Sequence, residues 1–189
     1  MRPTTLPLLL LSLLLVQCSW LLPKKEVQPE LPPPTREGNN TFGCYLNGKP
    51  WTPKGRLGFG LSNLSMTIEP SFRGGHLSVI AYRYEEGKVD QEMGFYVDSI
   101  PKYGAATYPF SCVVSGLYTD GGSASFTDNL SDCQYYYCND DSRIVSGYCT
   151  ITRYDLVGRV VSGTFEFTLA KPGCDTARVT DGRFDLPVY

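Results

Sequence analysis

The feature that most constrains the fold of this chain is a series of short segments in which apolar and polar residues alternate. Phe165, Phe167 and Leu169 alternate with threonine and glutamate residues, and the segment from His76 to Tyr84 alternates in the same way. A period of two places one side of a strand in the core and the other side in solvent. No segment has a sustained helical period, and turn residues recur roughly every 8–12 residues. This pattern predicts an all-β fold, a single antiparallel β-sandwich or barrel domain.

The N-terminus has the composition of an export signal. Arg2 precedes an apolar run that is too short to span a bilayer, which indicates a secretory signal and not a membrane helix. The run ends at Leu15-Val16-Gln17-Cys18 and resembles the lipobox of bacterial lipoproteins, in which the cysteine is acylated and becomes the mature N-terminus. The resemblance implies that Cys18 carries lipid, palmitate included, and that the membrane is a partner through this anchor. The alternative is an ordinary secretory signal that is cleaved elsewhere, with Cys18 incidental.

The segment that follows the signal is rich in proline. From Pro23 to Gly38 prolines alternate with charged residues, a composition that favours an extended chain and does not fold against a core. We therefore expect a signal peptide at residues 1–17, a lipidated cysteine with a proline-rich tether at residues 18–38, and the all-β domain at residues 39–189.

The β domain contains six of the seven cysteines. An even number of cysteines in an exported chain predicts disulfides, three in this case, and the alternative of a zinc site is poorly supported because the spacing Cys-x-x-Cys is absent. A hairpin around residues 139–146, the proximity of the chain ends and elimination predict three pairs. These are Cys138 with Cys149, Cys44 with Cys174, and Cys112 with Cys133.

Three runs near the C-terminus carry a recognisable pattern. Ile151 to Asp155, Val161 to Phe167 and Val179 to Asp185 resemble the closing signature ITxxD…SGTFxFx…TxGxFD of an uncharacterised family of exported Bacteroidota lipoproteins. Phe42 to Cys44, followed by Trp51, is similar to the opening strand of that family. The resemblance implies a small all-β domain behind a lipid-modified cysteine. It places the chain at the cell envelope, anchored to the outer membrane at its periplasmic face or at the cell surface, and it implies no activity.

The motifs of the common hydrolases are absent from the sequence. The single histidine, His76, is predicted to be a solvated residue at a strand end, and no nucleophile elbow or zinc-protease motif occurs. Glu69, Glu92, Asp98 or Glu166 would have to converge in space for glycosidase chemistry. We therefore expect no enzyme, no cofactor and no metal site, with a secreted hydrolase that uses converging carboxylates as the alternative.

Aromatic residues offer the best candidates for ligand contact. Tyr135, Tyr136 and Tyr137, together with Trp51, would bind a glycan or an envelope protein if their rings are exposed, although alternation lets only some of the three tyrosines face outward. The formal net charge is −2 and no basic patch stands out, so nucleic acid is a poor candidate as partner. The sequence thus predicts a cell-envelope lipoprotein that serves as a binding or structural module.

Overall fold

The computed structural model describes residues 30–56, 58, 60, 62–85, 88–100, 105–112, 121–138 and 142–189. Within these residues the chain forms eleven β-strands and no helix, which confirms the all-β prediction. The strands are β1 (Thr41–Leu46), β2 (Lys49–Trp51), β3 (Leu64–Glu69), β4 (His76–Glu85), β5 (Lys88–Val97), β6 (Ala106–Pro109), β7 (Gly122–Asp128), β8 (Tyr135–Tyr136), β9 (Arg143–Asp155), β10 (Val160–Ala170) and β11 (Ala177–Pro187).

The strands form two sheets that pack face to face. The six-stranded sheet has the order β2-β1-β11-β10-β9-β6, and the five-stranded sheet has the order β3-β4-β5-β7-β8. Every pair of neighbouring strands is antiparallel. Neither sheet closes on itself among the described strands, so the predicted sandwich or barrel is a sandwich.

Phenylalanine rings fill the space between the sheets. Phe95 on β5 lies with its ring centroid 5.1 Å from that of Phe165 and 5.4 Å from that of Phe184, which both belong to the six-stranded sheet. Phe42 stacks on Phe165 from β1, at 4.9 Å. These side chains are almost wholly buried and stabilise the sandwich through apolar area removed from water. The alternating pattern of the sequence places them on the inner faces.

Residues 32–39 form a strap across the outer face of the six-stranded sheet. Arg183 donates a hydrogen bond to the carbonyl oxygen of Pro32 (3.3 Å), and Arg153 donates one to the carbonyl oxygen of Arg36 (2.6 Å). Because Gly43 on β1 has no side chain, the ring of Pro32 lies directly on that strand: a Cβ at Gly43 would be 2.7 Å from the Pro32 Cδ. The predicted proline-rich tether therefore contacts the outer face of the sheet over residues 32–38, although it does not enter the core.

One buried carboxylate holds the strap. Asp185 on β11 accepts hydrogen bonds from the Thr35 hydroxyl (2.6 Å) and from the backbone amides of Glu37 (3.0 Å), Gly38 (2.8 Å) and Asn39 (3.2 Å). Burial of Asp185 acts to raise its pKa, but these hydrogen bonds outweigh that effect and hold the pKa below the ordinary value. The carboxylate is therefore ionised when the strap is bound.

The disulfides differ from the predicted pairing. The described residues contain two disulfides, Cys112–Cys138 and Cys133–Cys174, with Cα–Cα distances of 5.2 Å and 5.9 Å. The predicted hairpin between residues 135–138 and 147–152 does not form, because β8 pairs with β7 in one sheet while β9 belongs to the other sheet. The three predicted pairs, Cys138 with Cys149, Cys44 with Cys174, and Cys112 with Cys133, are therefore wrong.

Cys44 and Cys149 are free thiols in the core. Cys44 lies on β1 and Cys149 on β9, and the intervening strands β11 and β10 separate them by about 14 Å at the usual strand spacing. A disulfide needs its Cα atoms within about 7 Å, so these two thiols do not pair. Burial raises the pKa of Cys44 to about 12, against a smaller opposing effect of Arg83, and burial also raises the pKa of Cys149. Both therefore behave as small apolar side chains.

Candidate ligand-binding groove

The outer face of the five-stranded sheet contains a shallow groove of about 370 Å³, here named the sheet groove. Strand register explains how it forms. Ser78 on β4 lies opposite Tyr96 on β5, which lies opposite Ser123 on β7, and Gly94 lies opposite Ser125 in the next row. Residues that are far apart in the sequence thus form one surface. The groove is lined by Ser78, Ile80, Glu92, Gly94, Phe95, Tyr96, Ser123, Ala124, Ser125, Tyr137 and Cys138.

The floor of the sheet groove consists mainly of small side chains. Gly94 lies at the middle of β5, where a Cβ would be 3.3 Å from the Val79 carbonyl oxygen and 3.6 Å from the Ser125 hydroxyl oxygen. The absence of a side chain at Gly94 keeps the floor low, and the hydroxyls of Ser78 and Ser125 border it. Hydroxyl groups both donate and accept hydrogen bonds, so this floor suits a ligand that carries hydroxyls of its own.

Two aromatic side chains, Tyr96 and Tyr137, line the sheet groove. Tyr96 is half-buried and contacts His76, with ring centroids 5.7 Å apart. Tyr137 is exposed, and its chain segment is held by the Cys112–Cys138 disulfide and by a hydrogen bond from the Tyr137 amide to the Ser142 hydroxyl (3.2 Å). The ring at Tyr137 is therefore displayed on a segment that is covalently linked to the rest of the domain.

Glu92 is the charged residue of the sheet groove. It is half-buried on β5, opposite Tyr82 on β4 and Thr127 on β7. Within the described part of the chain, no lysine, arginine or histidine forms an ion pair with it. Burial raises the pKa of the Glu92 carboxyl. The pKa of Tyr82 is also raised, mainly by burial of Tyr82 itself and to a smaller extent by the negative charge of Glu92. The site therefore contains an acid without a cationic partner among the described residues.

Two of the four aromatic residues predicted to bind ligand are exposed. Tyr135 and Tyr137 have exposed fractions of 47% and 45%, and their rings meet edge to face at 6.2 Å. Tyr136 points into the core and donates a hydrogen bond to the Asp175 carbonyl oxygen (2.9 Å), because neighbouring residues of a strand face opposite sides. Its prediction as a ligand residue is wrong.

The same correction applies to Trp51. Only 1% of this residue is exposed, its ring lies under the Arg83 guanidinium at 4.9 Å, and its indole nitrogen donates to the Gln91 side chain (2.8 Å). Trp51 therefore closes one end of the core and is not available to a ligand. Cys18, the predicted lipidation site, lies outside the described residues.

His76 is not the solvated strand-end residue that the sequence predicted. Its Nδ1 lies 2.5 Å from a carboxylate oxygen of Asp98, and only 16% of its side chain is exposed. Arg73 donates to the other carboxylate oxygen of Asp98 (3.1 Å), and the Phe72 ring contacts the imidazole edge to face. Local sequence gave no signal for this cluster, because Asp98 follows β5 while His76 begins β4. The cluster packs against Tyr96 and so supports one border of the sheet groove.

The four carboxylates considered for hydrolysis do not all lie together. Asp98 is bound by a histidine and an arginine, and Glu92, six residues earlier, lies about 20 Å away along the extended chain. Glu166 is on the outer face of the other sheet, where it interacts with Tyr148. Glu69 lies opposite His76 in register, and His76 in turn contacts Asp98, so Glu69 and Asp98 neighbour the same histidine. Glu92 is therefore not brought together with Asp98 or Glu166.

Comparisons with protein-family models, with curated proteins and with solved structures give no match for this chain. The resemblance to Bacteroidota lipoproteins accordingly stays a prediction. Among the described residues, no helix has the length and apolar character that crossing a membrane requires.

Proposed function

We propose that this protein is a lipid-anchored binding module of the bacterial cell envelope and that its sheet groove binds a glycan. The observation that carries this proposal is the low floor at Gly94 and Ser125, which lie opposite each other in register, in a groove that the rings of Tyr96 and Tyr137 also line. Tyrosine rings offer apolar faces for stacking on sugar rings, and the serine hydroxyls are matched to sugar hydroxyls. A volume of about 370 Å³ is at the small end of ligand pockets and suits one or two sugar units.

The position of the groove favours a glycan over an envelope protein as the ligand. A peptide that binds by strand addition uses free backbone groups at a sheet edge. The groove instead lies over β4, β5 and β7, whose backbones pair with neighbours on both sides. A folded protein partner would need roughly 800 Å² of contact surface on this side. The small concave floor supplies contacts for a compact polar ligand.

The strap supports the proposed anchoring. Residues 32–39 contact the outer face of the six-stranded sheet, whereas the sheet groove opens on the outer face of the five-stranded sheet. The chain therefore enters the domain on the side opposite the groove. A lipid at Cys18 would then attach the protein to the outer membrane from that side and leave the groove free for a glycan.

The alternative of a secreted hydrolase has less support. Glycosidases place two carboxyl groups about 5–10 Å apart. Glu92 has neither Asp98 nor Glu166 within that range, as the strand geometry requires. We therefore propose binding without turnover.

The proposal is tested by filling the groove. Ser125→Phe places a ring on the floor, and Thr67→Phe makes a comparable change at an exposed position of the same sheet outside the groove. We expect the purified full chain to bind glycans on an array, Ser125→Phe to weaken that binding at least tenfold, and Thr67→Phe to leave it unchanged. Melting temperatures of both variants equal to that of the wild type would show that the fold is intact. Wild-type binding by Ser125→Phe would contradict the proposal.

The anchor is tested separately by mass spectrometry of the mature protein. We expect the N-terminal peptide to begin at Cys18 and to carry acyl groups. An unmodified peptide that begins at another residue would contradict the lipoprotein proposal and leave the groove proposal unaffected.

A further inference from the structure

We infer that the sheet groove selects sugars that carry a free ammonium group over neutral sugars and rejects sugars that carry a carboxylate. This inference rests on the proposed glycan-binding function and names the class of ligand for that site. It is carried by the position of Glu92 in the groove, because this glutamate is the charged side chain among the described lining residues.

The surroundings of Glu92 favour a cation. Tyr82 lies beside it in the same cross-strand row, and Thr127 on its other side is followed in that row by Tyr135. Tyr82 and Tyr84 stack with centroids 5.5 Å apart. Aromatic faces attract ammonium groups, so the rings and the carboxylate act in the same direction. Tyr82 adjoins the carboxylate, whereas Tyr135 lies two strands away, about 10 Å at the usual strand spacing, so Tyr82 is the ring that supports a positive charge at Glu92.

The negative charge of Glu92 is not neutralised by any described residue. Glu92 is half-buried and has no ion pair with a described residue, and burial is the cause of its raised pKa. A ligand ammonium that contacts this carboxylate replaces the lost hydration with a charge-assisted hydrogen bond. A ligand carboxylate in the same place would add a second negative charge, and like charges in a partly dehydrated site repel each other.

The basic side chains around Glu92 do not supply the missing charge. Lys88, four residues earlier on β5, lies opposite Glu85 in register and forms no ion pair with Glu92. Arg83 follows Tyr82 on β4 but points to the opposite side, where it donates to the carbonyl oxygens of Thr52 and Pro50. Arg73 is bound to Asp98 beyond the far end of β5. Both guanidinium groups are held in these positions by hydrogen bonds, so the positive charge that suits Glu92 must come from the ligand.

The test compares three oligosaccharides of equal length on the full chain. The probes are the β-1,4-linked tetramers of glucosamine and of N-acetylglucosamine and the tetramer of galacturonic acid, measured by isothermal titration calorimetry at neutral pH. We expect the glucosamine tetramer to bind most tightly and the galacturonic acid tetramer not to bind. Glu92→Gln should weaken glucosamine binding about tenfold, which is the size of one hydrogen bond to a charged group, and change N-acetylglucosamine binding less than about twofold.

Glu69→Gln is the matched control, because Glu69 is exposed on the same sheet outside the groove and its loss removes the same net charge. This variant should bind all three tetramers as the wild type does. If the N-acetylglucosamine tetramer binds and Glu92→Gln weakens glucosamine binding no more than N-acetylglucosamine binding, the charge selectivity is overturned while the glycan-binding proposal stands. If none of the tetramers binds, both are overturned. An equal loss with Glu69→Gln would overturn the assignment to Glu92.

Discussion

Asp185→Asn should release the strap from the six-stranded sheet while the sandwich stays folded. In the wild type, one carboxylate oxygen accepts the Gly38 amide, and the other accepts the Thr35 hydroxyl and the amides of Glu37 and Asn39. An asparagine keeps the shape of the side chain but offers one acceptor oxygen and one donor group. It therefore cannot accept all four hydrogen bonds in either orientation.

The expected loss of strap-binding free energy follows from the more favourable of the two orientations that the asparagine side chain can adopt. With its oxygen placed toward Thr35, Glu37 and Asn39, the asparagine loses the bond to Gly38 and turns a donor toward that amide. Hydrogen bonds to a charged acceptor contribute about 1.5–3 kcal/mol each, and the three that remain are weakened because the acceptor is neutral. The exposed strap regains water when it detaches, which offsets part of the loss. We expect a loss of about 2–3 kcal/mol in the free energy that holds the strap.

Hydrogen exchange measures this loss directly. The amides of Glu37, Gly38 and Asn39 should exchange about 30- to 140-fold faster in Asp185→Asn, since each 1.4 kcal/mol corresponds to a factor of ten. Asp181→Asn is the matched control, because it is the same substitution at an exposed position of the same strand. Equal protection in the wild type and in Asp185→Asn would refute the reasoning.

The pH dependence of amide protection independently checks that the ionised Asp185 carboxylate stabilises the bound strap. The pKa of Asp185 is lowered in the folded protein, so its contribution is fully present above the ordinary carboxyl value of 3.8 and is lost as the pH falls through the folded-state value. The difference in protection between the wild type and Asp185→Asn should therefore be constant near neutral pH and shrink below about pH 4. A difference that grows on acidification would contradict the role of the ionised carboxylate.

Two further predictions concern the core and the disulfides. Non-reducing peptide mapping should find two links, Cys112 with Cys138 and Cys133 with Cys174, and Cys44 and Cys149 should resist thiol reagents until the protein unfolds, because both are buried with raised pKa values. A link between Cys44 and Cys174 would contradict this pairing. Tyr136→Phe should lower the free energy of unfolding in urea by about 1 kcal/mol through loss of the bond to Asp175, whereas the exposed Tyr135→Phe should have no effect; equal values for the two variants would contradict the burial of Tyr136.

The strands were predictable because their signal is local. The segment predicted as a strand from His76 to Tyr84 differs by one residue from β4, and the segment from Val161 to Leu169 lies within β10. In both, alternate side chains enter the core, and this period of two is visible in a single stretch of sequence. The pattern does not specify which strands become neighbours, and so it left the sandwich and the barrel as alternatives.

The disulfide pairing was not predictable because it depends on which strands become neighbours, and the alternating pattern does not specify this. Cys138 and Cys149 are close in sequence, and a hairpin would have placed them opposite each other. The chain instead crosses from the five-stranded sheet at β8 to the six-stranded sheet at β9. Cys149 then faces the core opposite Phe165, whereas Cys138 reaches Cys112. A single change of sheet therefore alters the partners of both cysteines.

The ligand residues were only partly predictable for a similar reason. Aromatic composition pointed to the tyrosines at 135–137, and alternation correctly left some of them for the core, but nothing local distinguished the buried Trp51 from an exposed ring. The sheet groove is assembled across β4, β5 and β7 by register, so its serines are scattered in the sequence. A usable signal was nevertheless present, since Ser78 and Gly94 occupy outward positions of strands whose other outward residues are larger, and β7 has two serines, Ser123 and Ser125, at successive outward positions.

Gly94 is explained better by ligand binding than by the stability of its strand. It lies in the interior of β5, and a glycine in a strand interior destabilises the strand by roughly 0.5–1 kcal/mol relative to alanine. Its backbone is not in the left-handed region, and an added Cβ would be 3.3 Å from its nearest neighbour, the Val79 carbonyl oxygen, which is a tight contact but not a severe overlap. Gly163 differs, because a Cβ there would lie 2.7 Å from the ring of Phe184 inside the core. The packing thus excludes a side chain at position 163 more strictly than at position 94. If the groove binds a glycan as proposed, the absence of a side chain at Gly94 lowers the stability of the strand but leaves room for a sugar ring on the sheet. Such a loss of stability is expected where ligand binding and folding favour different residues at one position.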